Sequence, residues 1–129
     1  MTIIDPDITV AQTLPSKFYT DQDTFKSILS GFREHWHFAG HVSQLSKSQP
    51  IDNPLREPML LTLDEGTVHC LSNVCTHRGM LVCTESSNGR RLQCAYHGRT
   101  FNLDGTFRSM PEFSEVENFP TLADDLCSY

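Results

Sequence analysis

The chain has 129 residues, a length that fits one domain and leaves little room for a second. Apolar residues make up 38% of it and charged residues 20%, which excludes a charge-dominated disordered chain and a membrane protein. The formal charge of −6 disfavours non-specific nucleic-acid binding, because neutralising phosphates requires an excess of cations.

The N-terminal residues contain neither a basic segment nor a hydrophobic core of the kind that makes a secretory signal. The apolar runs are far shorter than the about 20 residues that cross a bilayer. We therefore expect a cytoplasmic protein that contacts no membrane. In that compartment the five cysteines are expected to act as metal ligands or buried thiols rather than as disulfides.

The N-terminal part of the chain predicts an extended lead-in followed by one α-helix. Residues 1–19 show no clear periodicity. From Thr20 onward, apolar side chains recur at helical spacing and form one stripe, made of Phe25, Ile28, Leu29, Phe32 and Trp36. Thr20 and Asp23 resemble a capping box with Asp in place of Glu, and Gly31 is expected to end the helix near its position.

The remainder predicts a small antiparallel β domain, because short apolar segments alternate with turn signals. Residues 36–42 alternate like a strand, and the polar segment 43–57 is expected to be a loop. Three hairpins follow, each around a turn that contains glycine: 59–63 with 67–71, 81–84 with 90–94, and 100–103 with 106–108.

Two short segments carry residues suited to metal binding. Cys75 and His77 lie in the sequence Cys-Thr-His-Arg-Gly, and Cys94 and His97 lie in Cys-Ala-Tyr-His-Gly. Sixteen residues separate His77 from Cys94, and we expect them to form one hairpin with a ligand pair at each base. Such a hairpin would bring two thiolates and two imidazoles together at one end of a sheet. A chain of this composition would contain the pattern by chance roughly once in a thousand cases.

Two kinds of metal site compete for this ligand set. Zinc accepts two Cys and two His, although zinc fingers use a Cys pair and a His pair at other spacings. Here each segment offers one residue of each type, which favours a cluster of two irons. In a Rieske [2Fe–2S] cluster two His replace two Cys on one iron, and the less negative cluster accepts an electron more readily.

The chain resembles the N-terminal part of Rieske non-haem iron oxygenases, which include the alpha subunits of ring-hydroxylating dioxygenases and their monooxygenase relatives. Three segments carry the resemblance: Leu-Pro-Ser-Lys-Phe-Tyr at 14–19, Trp-His-Phe-Ala-Gly-His-Val at 36–42, and residues 73–101 with both ligand motifs. The resemblance implies a mainly β fold, a Rieske-type antiparallel β-sandwich with a cluster-binding subdomain, preceded by one N-terminal α-helix.

The resemblance also implies the role of each candidate ligand. Cys75 and Cys94 would bind the inner iron of the [2Fe–2S] cluster. His77 and His97 would bind the outer iron, near the surface, through Nδ1. No catalytic residue is expected among these 129 residues, which alone should only transfer electrons.

The same resemblance implies an electron-transfer function within an oxidoreductase. Residues 36–129 would form the Rieske domain, cut before its final strands, after a lead-in and helix at 1–35. Single electrons would pass from a reductase or ferredoxin to a mononuclear non-haem Fe(II) that activates O₂ for hydroxylation or demethylation. That iron would belong to a catalytic domain absent from this sequence, in the same or a neighbouring subunit of a trimer. The alternative is a stand-alone Rieske-type ferredoxin, and the sequence predicts no substrate.

Several other residues receive a structural interpretation. His37 and His41 lie in a segment that the family uses for packing, so we expect structural or surface histidines there. Cys70 and Cys83 lie in apolar strand patterns and are expected to be buried thiols. Tyr96 is expected to pack beside the cluster without a catalytic role.

Some positions depart from the patterns of related proteins. Rieske proteins of the cytochrome bc type carry a disulfide between the cluster loops, and Met80 and Tyr96 stand at those two positions here, which disfavours that subclass. Arg99 stands where many relatives of the oxygenase type have Trp. Cys127 is expected to be exposed, and the acidic residues of 112–125 are expected to form a solvated face.

Overall fold

The computed structural model describes residues 4–52 and 57–129. It divides into two compact units, with the boundary between His37 and Phe38. Part of the predicted loop at 43–57 lies outside the described residues. None of the helices in the described ranges is long and apolar enough to traverse a bilayer.

The N-terminal unit contains a short helix α1, Lys17–Thr20, and a longer helix α2, Gln22–Arg33. The predicted helix is confirmed, but it follows Asp21 instead of beginning at Thr20. Asp21 has an extended backbone, and its carboxylate accepts hydrogen bonds from the Thr24 N–H and hydroxyl, each at 2.8 Å. The carboxylate thereby satisfies a backbone donor that the first turn leaves open, so Asp21 is the N-cap of α2.

The C-terminal end of α2 lies beyond the predicted stop at Gly31. Glycine costs a helix only about 1 kcal/mol relative to alanine, which does not by itself end one. Two imidazoles contact carbonyl groups of the last turn: His35 Nδ1 lies 2.6 Å from the Gly31 oxygen, and His37 Nε2 lies 2.5 Å from the Phe32 oxygen. These contacts satisfy acceptors that the helix end leaves open.

The second unit is built from two three-stranded antiparallel sheets. The first sheet contains, in spatial order, β1 (Ser48–Ile51), β2 (Met59–Asp64) and β3 (Thr67–Ser72). The second contains, in spatial order, β4 (Leu92–Gln93), β5 (Thr100–Phe101) and β6 (Phe107–Ser109). The predicted mainly β fold is confirmed. The predicted hairpins formed by β2 with β3 and by β5 with β6 are confirmed as well.

Two predictions for the segment before β2 are wrong. Residues 36–42 form no strand, and they lead into a 3₁₀-helical turn at Val42–Gln44. Conversely, β1 lies within the segment predicted to be a loop, where polar side chains and Pro50 obscured it. Proline is tolerated there because β1 is the edge strand of its sheet, where a missing N–H breaks no central ladder.

The predicted hairpin of 81–84 with 90–94 is also wrong. Strand β4 pairs with β5 instead, and the 81–84 segment is held by Asn73. The Asn73 side chain donates to the Cys83 carbonyl and accepts from the Cys83 N–H, both at 2.7 Å, and the Asn73 carbonyl accepts from the Val82 N–H at 3.1 Å. Asn73, which is buried, therefore supplies the hydrogen bonds that a partner strand would otherwise give.

Both sheets contribute to one hydrophobic core. Leu60 and Leu71 of the first sheet and Phe101 of the second are completely buried. The buried Thr62 hydroxyl donates to the Leu103 carbonyl, which ties β2 to the segment after β5. Among the described residues, one cluster of buried core side chains contains Leu60, Leu71, Cys75, Cys83, Leu92, Cys94, Phe101, Leu103 and Leu126. Because Cys75 and Cys94 belong to it, packing of the two sheets also positions the candidate thiol ligands.

Gly105, in the turn between β5 and β6, allows a close approach to the core. Its φ is +92°, and an added Cβ would lie 2.9 Å from Leu71 Cδ2. Leu71 is fully buried, so its side chain has little free space to move into. We expect Gly105→Ala to lower the free energy of unfolding by about 2–4 kcal/mol, since backbone strain and overpacking add.

Gly66, in the turn between β2 and β3, is a matched control for that substitution. Its φ is +88°, yet an added Cβ would meet nothing within 4 Å. Gly66→Ala should therefore lose only about 1–2 kcal/mol, the cost of backbone strain. Urea denaturation of both variants measures the difference, and equal losses would show that the Leu71 contact is unimportant.

Candidate metal centre

The first ligand loop lies at the tip of a short hairpin that follows β3. An isolated antiparallel bridge joins Val74 to Leu81 and closes the loop. Within it, the Cys75 N–H donates to the Met80 carbonyl at 2.8 Å, and the Gly79 N–H donates to the Cys75 carbonyl at 2.9 Å. Gly79 has a φ of +72°, a left-handed conformation that favours glycine and turns the chain back after His77.

The second ligand loop repeats this backbone structure between β4 and β5. The Cys94 N–H donates to the Arg99 carbonyl at 2.9 Å, and the Gly98 N–H donates to the Cys94 carbonyl at 3.0 Å. Gly98 has a φ of +71°, and a Cβ added there would lie 3.2 Å from Pro111 Cγ. The glycine four positions after each cysteine is therefore required by the loop conformation, and at Gly98 also by the neighbouring proline.

The structure corrects how the two ligand pairs are brought together. The sequence predicted one hairpin with a ligand pair at each base, but each pair lies at the tip of its own hairpin, closed by the Val74–Leu81 bridge or by the Gln93–Thr100 pair. The prediction is wrong because segment 81–87 bonds to Asn73 and Ser48 instead of pairing with 90–94 across the turn that contains Gly89.

All four predicted ligand side chains lie together. Cys75 and Cys94 are 3% and 2% exposed, and their thiols are within hydrogen-bonding reach of each other. His77 and His97 are half-buried, and their ring centroids lie 4.8 Å apart at an interplanar angle of 69°. The two sulfur donors thus lie in the core, and the two nitrogen donors lie on its solvent side.

The surroundings act on the protonation of these groups. Burial raises the pKa of the Cys75 thiol, while a hydrogen bond from the His77 backbone N–H and the charge of Arg99 act in the opposite direction. Partial burial, the neighbouring His97, and the charges of Arg78 and Arg99 lower the pKa of His77. His77 is therefore favoured as a neutral imidazole, the form in which histidine binds metal.

The donor set fits a cluster with two irons. Among the residues that the structure describes, no three His, Cys, Asp or Glu side chains are grouped to hold one ion. A Rieske cluster does not require such a group, because each iron takes only two protein ligands and the bridging sulfides supply the rest. Two adjacent buried thiols and two adjacent imidazoles match that division of ligands.

Aromatic side chains cover the two imidazoles. The Tyr96 ring lies 3.7 Å from the His97 ring, measured between centroids, and is tilted by 30°. Phe113 lies 6.1 Å from His77 in an edge-on arrangement. Tyr96 therefore packs beside the candidate ligands, as expected, and remains 59% exposed.

Sequence reasoning missed a polar network around the buried Arg99 side chain, which reaches Thr76 of the first loop. Arg99 Nη1 donates to Thr76 Oγ1 at 2.6 Å, and Nη2 donates to Asp124 Oδ1 at 3.1 Å. The Thr76 hydroxyl in turn donates to the Asp124 carbonyl at 2.8 Å. The sequence predicts a solvated acidic face for the acidic residues of 112–125, but the Asp124 side chain is only 18% exposed. A signal was available, since Thr121 and Asp124 form a Thr-x-x-Asp capping box and the structure contains both of its hydrogen bonds.

The remaining cysteines and histidines of interest lie outside the ligand loops. Cys70 is half-buried, Cys83 is buried and Cys127 is exposed, and all three are free thiols. His37 contacts the end of α2, and the His41 ring accepts from the Ser43 N–H at 3.2 Å. These contacts agree with the structural interpretation of both histidines.

The model of the Rieske [2Fe–2S] domain family matches residues 35–120 of this chain. The chain therefore belongs to the Rieske [2Fe–2S] domain family. Domains of this family bind a [2Fe–2S] cluster, which sets aside the zinc alternative.

Among Rieske proteins, the relatives of this chain are subunits of oxygenases. The chain is 35% identical over 101 residues to the glycine betaine monooxygenase oxygenase subunit of Chromohalobacter salexigens, over 72% of this chain and 22% of that protein. It is 30% identical over 114 residues to the biphenyl 2,3-dioxygenase subunit alpha of Rhodococcus jostii, over 84% of this chain and 24% of that protein. The predicted resemblance to Rieske oxygenase alpha subunits is confirmed.

Solved structures of Rieske oxygenases also have a fold similar to that of this chain. The structure of a quaternary ammonium Rieske monooxygenase in complex with L-carnitine matches with a TM-score of 0.80 at 26% identity, over 92% of this chain and 35% of that one. The fold also matches naphthalene 1,2-dioxygenase from Rhodococcus sp., with a TM-score of 0.76 over 90% of this chain. The chain spans about a quarter of the length of the curated relatives, 22% and 24% for the two named above.

Proposed function

We propose that Cys75, His77, Cys94 and His97 hold a Rieske [2Fe–2S] cluster and that residues 36–129 act as the electron-transfer domain of an oxygenase. The observation that carries this proposal is the arrangement of the four side chains, with adjacent buried thiols and adjacent half-exposed imidazoles. When bound, the cluster supplies a one-electron redox couple.

The four proposed ligands differ in exposure. Cys75 and Cys94 are buried and would hold iron as thiolates inside the core. His77 and His97 are partly exposed and would hold the outer iron on the solvent side of the core. A reductase or ferredoxin, and the electron acceptor, would therefore contact the domain on its imidazole side.

The acceptor we propose is a mononuclear non-haem Fe(II) in a catalytic domain outside these 129 residues. The support is that the matched part of this chain covers only 22% and 24% of the two oxygenase subunits named above. In the assembled enzyme, a trimer, that iron lies in the same or a neighbouring subunit. Substrate choice belongs to the catalytic domain, and relatives named for glycine betaine and for biphenyl match the present residues at similar identity, 35% and 30%.

The proposal is tested on the chain itself, loaded anaerobically with iron and sulfide. We expect iron and acid-labile sulfide in equal amounts, a Rieske-type EPR signal in the reduced state, and reversible uptake of one electron per cluster. A colourless protein with a single bound zinc would contradict it. Sequencing the downstream reading frame separates the oxygenase from a stand-alone ferredoxin: an oxygenase encodes a further domain with two His and one carboxylate as iron ligands.

A further inference from the structure

Arg99 belongs to one ligand loop by its backbone and contacts the other by its side chain. Its carbonyl accepts from the Cys94 N–H at 2.9 Å, which closes the second loop. Its Nη1 donates at 2.6 Å to Thr76, the residue between Cys75 and His77 in the first loop. Arg99 thus connects the two loops without being a metal ligand.

The guanidinium group is almost completely desolvated. Arg99 is 3% exposed, and its guanidinium carbon lies 5.2 Å from the centroid of the Phe107 ring and 5.4 Å from that of Phe119. Its Nε contacts Met110 Sδ at 3.4 Å. Aromatic faces stabilise a cation there but do not screen it as water would, so the positive charge acts over a longer range than a surface charge.

The counter-charge is the Asp124 carboxylate, which accepts from one terminal nitrogen of the guanidinium, whereas the other terminal nitrogen donates to Thr76. Nη2 pairs with Asp124 Oδ1 at 3.1 Å, and the other carboxylate oxygen of Asp124 accepts from the Thr121 N–H at 2.8 Å. Both residues of this pair contact the Thr76 side chain, but Asp124 does so through its neutral backbone carbonyl, whereas Arg99 does so through its charged guanidinium. Buried ion pairs add little net stability compared with apolar side chains of similar size, so stability alone is a weak reason for this one.

We propose that Arg99 sets the reduction potential of the cluster, with its buried positive charge stabilising the reduced state and Asp124 moderating that effect. This inference rests on the proposed function, since it requires a cluster bound at the two loops. Reduction adds one electron, supplied by a reductase or ferredoxin, and makes the cluster more negative by one charge. A nearby desolvated cation favours that extra charge, and its removal disfavours it.

Electrochemical titration of the loaded chain tests this proposal through the midpoint potential. Arg99→Gln removes the charge and should lower the equilibrium constant for reduction of the cluster at least tenfold. For a one-electron couple, this corresponds to a midpoint potential that is lower by at least 59 mV. Arg99→Lys keeps the charge and should stay within about threefold of the parent chain. Arg78→Gln is the matched control: Arg78 adjoins His77 but is exposed, so solvent screening should limit its effect to about threefold.

Asp124→Asn distinguishes a charge effect from a loss of loop structure. This variant removes the counter-charge, so the midpoint potential should rise, whereas it should fall in Arg99→Gln. If Arg99 had a purely structural role, the midpoint potentials of Arg99→Gln and Asp124→Asn would shift in the same direction, or neither would shift. If Arg99→Gln does not take up iron and sulfide, the direction of the potential shift in Asp124→Asn decides whether the charge of this ion pair acts on the cluster.

The results that would contradict the role of Arg99 differ from those that would contradict the electron-transfer function. Equal shifts in Arg99→Gln and Arg78→Gln, or a lower potential in Asp124→Asn, would overturn the role of Arg99 and leave the electron-transfer function intact. A parent chain with iron and sulfide but no reversible couple would overturn both.

Discussion

Cys94→Ser is expected to leave the chain without its iron and acid-labile sulfide, and Cys75→Ser should do the same. Both cysteines are buried in the core at the start of a ligand loop, where the backbone N–H of each is already bonded within the loop. A serine hydroxyl is a poor iron ligand because it is not deprotonated as a thiol is. The iron and sulfide content of the purified chain, and its visible absorption, measure the loss.

Cys83→Ser is the matched control for these variants. Cys83 is buried, at 7% exposed, but lies outside both loops, and its thiol donates to the Glu85 carbonyl at 3.2 Å. A serine hydroxyl can donate to the same carbonyl, so Cys83→Ser should retain full iron and sulfide. An intact cluster spectrum in Cys94→Ser would remove Cys94 from the proposed ligand set.

The parts of the fold that could be predicted are those fixed by local chemistry. The hairpin of β2 and β3 follows from two short apolar segments around one glycine turn, and the stripe of α2 follows from helical spacing. The parts that were wrong depend on distant partners. Strand β1 exists because β2 pairs with it, and the 81–84 segment stays out of a hairpin because Asn73 bonds it.

The same distinction between local and distant contacts applies to the candidate site. The four candidate ligands could be predicted because Cys, His and Gly recur at fixed spacing in two short segments. The sequence shows Arg99 only as a departure from relatives, because its contacts are with Thr76 and Asp124, which lie 23 and 25 positions away in sequence. A network assembled from three distant segments leaves no periodic pattern in the sequence.

His77→Cys is expected to lower the reduction potential by about 100 mV or more if the cluster still assembles. The substitution replaces a neutral imidazole with a thiolate and adds one negative charge at the outer iron, so the oxidised state is favoured. Clusters with four cysteine ligands have potentials near −400 mV, compared with about −150 to +300 mV for Rieske clusters. Electrochemical titration measures the shift, and the reduced-state EPR spectrum should move away from the Rieske type.

His41→Cys provides the control for that experiment. His41 lies outside the ligand loops and contacts Ser43 at an exposed turn, so the potential and the EPR spectrum should remain those of the parent chain. The position of His77 makes the contrast informative, because its ring lies 4.8 Å from that of His97, the other proposed ligand of the outer iron. An unchanged potential in a loaded His77→Cys variant would mean that this imidazole does not bind iron, and the outer iron would then need a different second ligand.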